Sequence, residues 1–129
     1  MSLNKNMRVF IVDDYNTMLR ILRNLLRQLE INQVEEATDG ETAFDAMMRN
    51  PPELIISDWN MAPMTGLELL RKVRAEPKLR HIPFIMVTAE SKTENVIAAK
   101  QAGVSNYIVK PFNAETLRAK IASVTNVAA

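Results

Sequence analysis

The sequence predicts an α/β fold: a doubly wound, five-stranded parallel sheet in the order 2-1-3-4-5, with helices on both faces. Short apolar runs rich in β-branched residues alternate five times with segments of helical period. The first, third and fourth runs are nearly all apolar and suit strands buried on both faces. The second, Gln33-Val34-Glu35-Glu36-Ala37, is polar and suits an edge, and the fifth, opening Ser105-Asn106-Tyr107, suits the other edge. Four of the runs also stop on a polar residue. Val9-Phe10-Ile11-Val12 meets Asp13-Asp14, Leu54-Ile55-Ile56-Ser57 meets Asp58, Phe84-Ile85-Met86-Val87 meets Thr88, and Tyr107-Ile108-Val109 meets Lys110.

Taken in order, residues 1–6 are polar and are expected outside the fold as an N-terminal extension to one domain over 7–126. The strands fall at about 8–12, 33–37, 53–57, 83–87 and 106–110. In the first helix Met18, Leu22, Leu25, Leu26 and Leu29 form an apolar stripe, with Arg20, Arg23 and Arg27 on another face. Those arginines read first as a solvated face and second as a dock for an acidic partner. Asp39-Gly40 reads as a strand-to-helix turn, although the pair is also common in hairpins. Pro51-Pro52 separates the second helix from the third strand. Thr65-x-x-Glu68 and Ser91-x-x-Glu94 fit capping boxes at the third and fourth helices, and Leu67, Leu70 and Val73 repeat at helical spacing. Gly103 stands where a helix ending at Ala102 needs a left-handed residue, and Leu117, Ile121 and Val124 make the last stripe. His81, before a strand and beside Ile82-Pro83, reads as a solvated loop residue.

Composition narrows the function classes. At 129 residues the chain is long enough for one core, and 24% charged residues are ordinary for a globular protein. A net charge of +1 argues against nucleic acid or an acidic membrane as the main partner. With no cysteine there is no disulfide, thiolate metal site or cysteine nucleophile. No stretch approaches the roughly 20 apolar residues of a membrane span, and no signal-peptide core precedes the first strand, so a cytoplasmic monomer is expected.

Ligands of open parallel sheets bind beyond the carboxyl ends of the strands, so the four polar endings gather at one rim. Asp13, Asp14 and Asp58 flank the crevice between the first and third strands. Three carboxylates that close repel one another unless a cation neutralises them, and oxygen ligands without His or Cys point to Mg²⁺. Asp58, alone at the centre, is the candidate nucleophile, with Asp13 and Asp14 holding the metal. Lys110 offers a compact positive charge to a phosphoryl oxygen, and the Thr88 hydroxyl offers a hydrogen bond. Each residue also has a plainer reading. Asp13-Asp14 could be a turn and helix cap, Asp58 a loop acid, Thr88 a cap, and Lys110 an edge-strand lysine. The coincidence of all four strand ends favours the magnesium-dependent phosphorylation site.

Val12-Asp13-Asp14, Ser57-Asp58-Trp59-Asn60-Met61, Met86-Val87-Thr88-Ala89-Glu90 and Tyr107-Ile108-Val109-Lys110-Pro111-Phe112 resemble the motifs of two-component receiver domains. The resemblance runs from about residue 7 to 125. Asp58-Trp59-Asn60-Met61 with Gly66-Leu67-Glu68-Leu69-Leu70 is most similar to the CheY-type chemotaxis receivers. One departure is that such chains usually carry Pro directly after that Met, whereas here Ala62 precedes Pro63. The resemblance implies a flavodoxin-like, CheY-like fold in which Asp58 accepts a phosphoryl group from a histidine kinase. It implies Mg²⁺ on Asp14, Asp58 and the backbone carbonyl of Asn60, with Asp13 acting largely through water. It further implies that Thr88 and Lys110 contact the phosphate, that Tyr107 is an aromatic switch coupled to Thr88, and that Lys110-Pro111 is cis. The implied output face comprises the fourth helix, fifth strand and fifth helix, with Val96, Lys100, Tyr107, Val109, Phe112 and Lys120 on or beside it.

The expected function is that of a stand-alone receiver without an output domain, not an enzyme beyond its own phosphorylation and dephosphorylation. Its expected partners are a histidine kinase, a flagellar motor switch protein and, optionally, a phosphatase. Within the family the rivals are a phosphate sink or shuttle and a receiver cut from a longer chain. From another class, an aspartyl-phosphate hydrolase commonly places an acid or threonine two residues after the nucleophile, where this chain has Asn60. A flavodoxin-like cofactor binder is poorer still, since three glycines form no phosphate-cradling loop.

Overall fold

The structure is a computed structural model and describes residues 4–89 and 93–125. The elements run β1 (Arg8–Val12), α1 (Asn16–Gln28), β2 (Gln33–Ala37), α2 (Gly40–Arg49), β3 (Leu54–Asp58), α3 (Gly66–Ala75), β4 (Phe84–Thr88), α4 (Thr93–Gln101), β5 (Asn106–Val109) and α5 (Ala114–Thr125). All strand pairs are parallel and the order is β2-β1-β3-β4-β5. The burial agrees with the hydrophobicity of the runs: β3 and β4 are buried along their whole length, whereas β2 buries only Ala37.

Successive side chains of a strand point to opposite faces, which divides the core into two layers. Val9, Ile11, Leu54, Ile56, Ile85 and Val87 face α1 and α5, meeting Leu19, Leu22, Leu26, Leu117 and Ile121. Phe10, Val12, Ile55, Phe84 and Met86 face the other way, meeting Ala43, Met47, Leu69, Leu70 and Val73 of α2 and α3. Each fully buried Leu or Ile contributes about 1.5–3 kcal/mol over leaving it exposed.

Local chemistry agrees with the segments at most ends. Thr65 and Glu68 form a reciprocal capping box at α3. The Asp39 carboxylate accepts the Thr42 N–H at 2.8 Å, so Asp39-Gly40 is indeed a strand-to-helix turn. Gly103 has φ +93°, a conformation that L side chains rarely adopt. The Ser91–Glu94 box lies outside the described residues. His81 is exposed.

Three details differ from the sequence reading. β3 and β4 sit one residue later, because Asp58 pairs with Val87 and Thr88 with Val109, extending the ladder onto the polar endings. β5 stops at Val109, leaving Lys110 just past the strand. The α1 stripe includes Leu19, 2% exposed, while Leu25 and Leu29 are only partly buried. Lys110–Pro111 is cis, as the resemblance implied, and so is Ala62–Pro63 in the loop flagged for its departure.

Candidate functional site

The sheet delivers its polar endings to one rim, and single backbone bonds tie down the turns that follow. Asp13 N–H donates to Ala37 O at 3.2 Å, Trp59 N–H to Val87 O at 2.9 Å, and Lys110 N–H to Thr88 O at 2.8 Å. The turn after β3 closes when Gly66 N–H reaches Trp59 O at 2.9 Å. Gly66 is required by proximity: a Cβ there would stand 2.1 Å from the Asp58 carbonyl oxygen and 2.8 Å from Met86 Sδ.

Within this frame Asp13, Asp14 and Asp58 each bring a carboxylate oxygen within 4.8 Å of the other two. Asp13 and Asp58 are buried at 1% and 6% exposure, while Asp14 is open to solvent. Lys110 Nζ lies 3.0 Å from Asp58 Oδ1 and 4.0 Å from Asp13 Oδ2. At 4.8 Å and an effective dielectric constant of 20, two carboxylates repel by about 3.5 kcal/mol, so one lysine cannot balance three acids. Burial pushes the Asp13 carboxyl up to about 6, aided by the negative Asp58 and Asp14 and opposed by the Tyr15 N–H and Lys110. Burial likewise raises Asp58, against the hydrogen bond and charge of Lys110.

Asp13 reconciles the two readings of its motif. Its Oδ1 accepts the Tyr15 N–H at 2.9 Å, a turn contact. Its Oδ2 is buried and has no hydrogen-bond partner. A desolvated carboxylate oxygen without a donor is costly unless a cation completes it. Three carboxylates and one ammonium leave a formal charge of −2, and all-oxygen donors suit Mg²⁺. The residues therefore fit that ion, with Asp13, Asp14 and Asp58 available to hold it. Asn60, two residues after Asp58, is exposed at the same rim.

The remaining predicted residues divide into two groups. Thr88, 7% exposed, lines an apolar cleft with Trp59, Met86, Asn95, Val96, Ala99 and Tyr107, so Thr88 and Tyr107 border the same space. Lys120 Nζ lies 5.3 Å from the centre of the Tyr107 ring, and Val109 and Lys100 are exposed nearby on β5 and α4. Phe112 stands apart: it packs on the α1–α5 layer and lines a groove with Met18, Ile21 and Pro111. The sequence reading missed Ile97, 49% exposed on α4. Its signal was weak, because α4 has little amphipathic pattern from which to tell an exposed apolar residue from a core one.

The pattern of the response regulator receiver domain matches residues 9–122. The chain belongs to this family. This receiver is 50% identical over 119 residues to chemotaxis protein CheY-3 of Vibrio cholerae, covering 92% of each chain. It is 48% identical over 118 residues to chemotaxis protein CheY of Pseudomonas aeruginosa, covering 92% of this chain and 95% of that one. Among solved structures, Vibrio cholerae CheY4 superimposes with a TM-score of 0.86 at 33% identity, covering 92% of this chain and 98% of that one. The protein is thus a CheY-like response regulator receiver with the fold that the sequence predicted.

Proposed function

We propose that Asp58 accepts a phosphoryl group from a phosphohistidine of a histidine kinase, and that phosphorylation alters binding at the face formed by α4, β5 and α5. The reading assigns residues 7–126 to a single receiver unit acting in the cytoplasm, and no helix among the described residues is long and apolar enough to cross a membrane. One observation carries it: the buried Asp58 carboxylate at the end of a central strand touches Lys110 at 3.0 Å, beside an Asp13 Oδ2 that accepts no hydrogen bond.

In this reading an Asp58 oxygen attacks phosphorus. The new O–P bond forms as the N–P bond of the donor breaks, and the imidazole leaves with the electron pair. Lys110 is close enough to follow the new charge, exchanging Asp58 Oδ1 for a phosphoryl oxygen. Thr88 donates its hydroxyl to another. Asp13, Asp14, Asp58 and the Asn60 carbonyl would hold Mg²⁺, which supplies two positive charges against the carboxylates and the phosphoryl oxygens. Self-catalysed phosphorylation and dephosphorylation then rest on positioning and charge stabilisation.

Signalling follows from population shift, since a phosphoryl group biases the output face only through contacts that differ between two states. Thr88 and Tyr107 line the same cleft, so movement of one changes the space open to the other. The exposed apolar Ile97 and Val109, with Lys100 and Lys120 beside them, suit an acidic segment with apolar anchors. The chemotaxis relatives make a flagellar motor switch protein the proposed target. The test is affinity for that protein from the source cell, with Mg²⁺, with and without beryllofluoride as phosphoryl mimic. The parent should gain affinity, while Thr88→Ala and Lys110→Arg should still be labelled at Asp58 yet lose the gain. A full gain in Thr88→Ala contradicts the coupling. A parent that is labelled but gains nothing is a phosphate sink.

A further inference from the structure

Arg74, in the last turn of α3, lies near the start of β4, at the opposite end of the strands from the acidic cluster, and plays no part in the chemistry above. Its guanidinium ties α3 to two connections, Arg80–Ile82 before β4 and Gly103–Ser105 before β5. Nε donates to Gly103 O at 2.8 Å, Nη1 to Ile82 O at 2.7 Å and Arg80 O at 3.2 Å, and Nη2 reaches Ser105 Oγ at 3.4 Å. Ser105 Oγ in turn accepts the Phe84 N–H at 2.9 Å, which joins the clamp to the start of β4. No carboxylate pairs with Arg74 among the described residues, so its positive charge is given to backbone carbonyls. One of these, Gly103 O, belongs to the left-handed turn that ends α4, and a Cβ at Gly103 would stand 3.3 Å from Arg74 Nε.

The other end of α4 is held differently. Of its described side chains only Ala99 is buried, against four buried residues in α1. Asn95 and Val96, near its start, line the cleft shared by Thr88 and Tyr107. At its end, Val104 N–H bonds to Ala99 O at 3.0 Å and Gly103 N–H to Lys100 O at 3.1 Å, beneath the arginine. A helix with little core packing, polar-clamped at one end and adjoining the reactive rim at the other, has the build of a lever on a fixed hinge.

We propose that Arg74 is the anchor of α4: it fixes the Gly103 end, so that phosphorylation at Asp58 displaces only the end near Val96. This rests on the assignment of Asp58 as acceptor and adds a positioning residue outside the site. With Arg74 in place, the bias from Thr88 is converted into tilting of the output face. Without it, the same bias is spread as loosening of the whole helix.

Residue-resolved amide hydrogen exchange tests this on the full chain with Mg²⁺, with and without beryllofluoride. In the parent, the mimic should change exchange at Val96, Ile97 and Ala98 by about tenfold or more while Ala102, Gly103 and Val104 stay within about twofold. Arg74→Met keeps the aliphatic stem and removes every donor. It should raise basal exchange at Gly103 and Val104 by about tenfold, near the upper value for one net hydrogen bond, and spread the response along the helix. Arg74→Lys, able to satisfy one carbonyl at a time, should fall between and serves if the methionine variant does not fold. Mg²⁺ affinity, read from Trp59 fluorescence, should be unchanged in both. Equal responses at the two ends of α4 in the parent, or a parental pattern in both variants, would overturn the anchor alone. No response at Trp59 or anywhere in α4 of the parent would instead overturn the acceptor assignment, and the anchor with it.

Discussion

Asp13→Asn should make the metal-free protein more stable at neutral pH while removing its response to magnesium. The Asp13 carboxyl, 1% exposed, is raised from 3.8 to about 6, chiefly by burial. The unfolded chain gives up this proton near pH 3.8 and the native protein keeps it until about 6, so the native state binds more protons in between. Stability from this group is therefore fully present below 3.8 and lost as pH rises through about 6. The whole gap corresponds to about 3 kcal/mol, of which about 1.4 kcal/mol disappears between pH 5 and 7.5. Asp58, raised for the same reason, adds loss of the same sign. The capped carboxyls of Asp39 and Glu68 are held below their ordinary values and so titrate beneath this window. Asparagine keeps the oxygen that accepts the Tyr15 N–H and removes the charge. Urea unfolding in a chelating agent from pH 5 to 7.5 should show the parent losing stability and Asp13→Asn holding nearly level. With Mg²⁺ at 100 times its dissociation constant the parent should recover about 2.7 kcal/mol, and the variant little. Parallel pH profiles in the chelating agent would refute the reasoning, since the desolvated Asp13 would then carry no penalty.

Two further outcomes follow from the site's geometry. Magnesium should alter the fluorescence of Trp59, the single tryptophan, which lines the cleft beside Thr88, and Asp14→Ala should abolish that response; a variant titrating like the parent would put the metal elsewhere. Gly66→Ala should cost about 1–3 kcal/mol in thermal unfolding and weaken Mg²⁺ binding together, because its Cβ would stand 2.1 Å from the Asp58 carbonyl; loss of stability with unchanged Mg²⁺ affinity would show that the turn yields without moving Asp58.

Much of this was legible because β-branched apolar runs and their polar endings carry two messages at once. The apolar part of Leu54–Ser57 demands burial on both faces, and the abrupt Asp58 marks the rim where ligands bind. The polar β2 run suits an edge, in agreement with the order observed. Capping chemistry at Thr65, Asp39 and Gly103 is local and survives without tertiary context. What escaped the sequence is long-range. Leu19 was passed over because five other apolar residues already completed a stripe, and only the fold shows α1 wedged between β1 and α5. Arg74 gave no local signal, since its carbonyl partners lie 6 to 29 residues away and its hydroxyl partner, Ser105, lies 31 away. The donorless oxygen of Asp13 could not be foreseen either, because its burial depends on how three strand ends meet.

The central claim is that Asp58 is the phosphoacceptor, and the most direct measurement is the covalent one. The protein is incubated with acetyl phosphate and Mg²⁺, reduced with borohydride, and mapped by mass spectrometry. The account predicts one modification per chain at Asp58, dependent on Mg²⁺ and absent from Asp58→Asn. Label that persists in Asp58→Asn, or that maps to Thr88 or another hydroxyl, would contradict it.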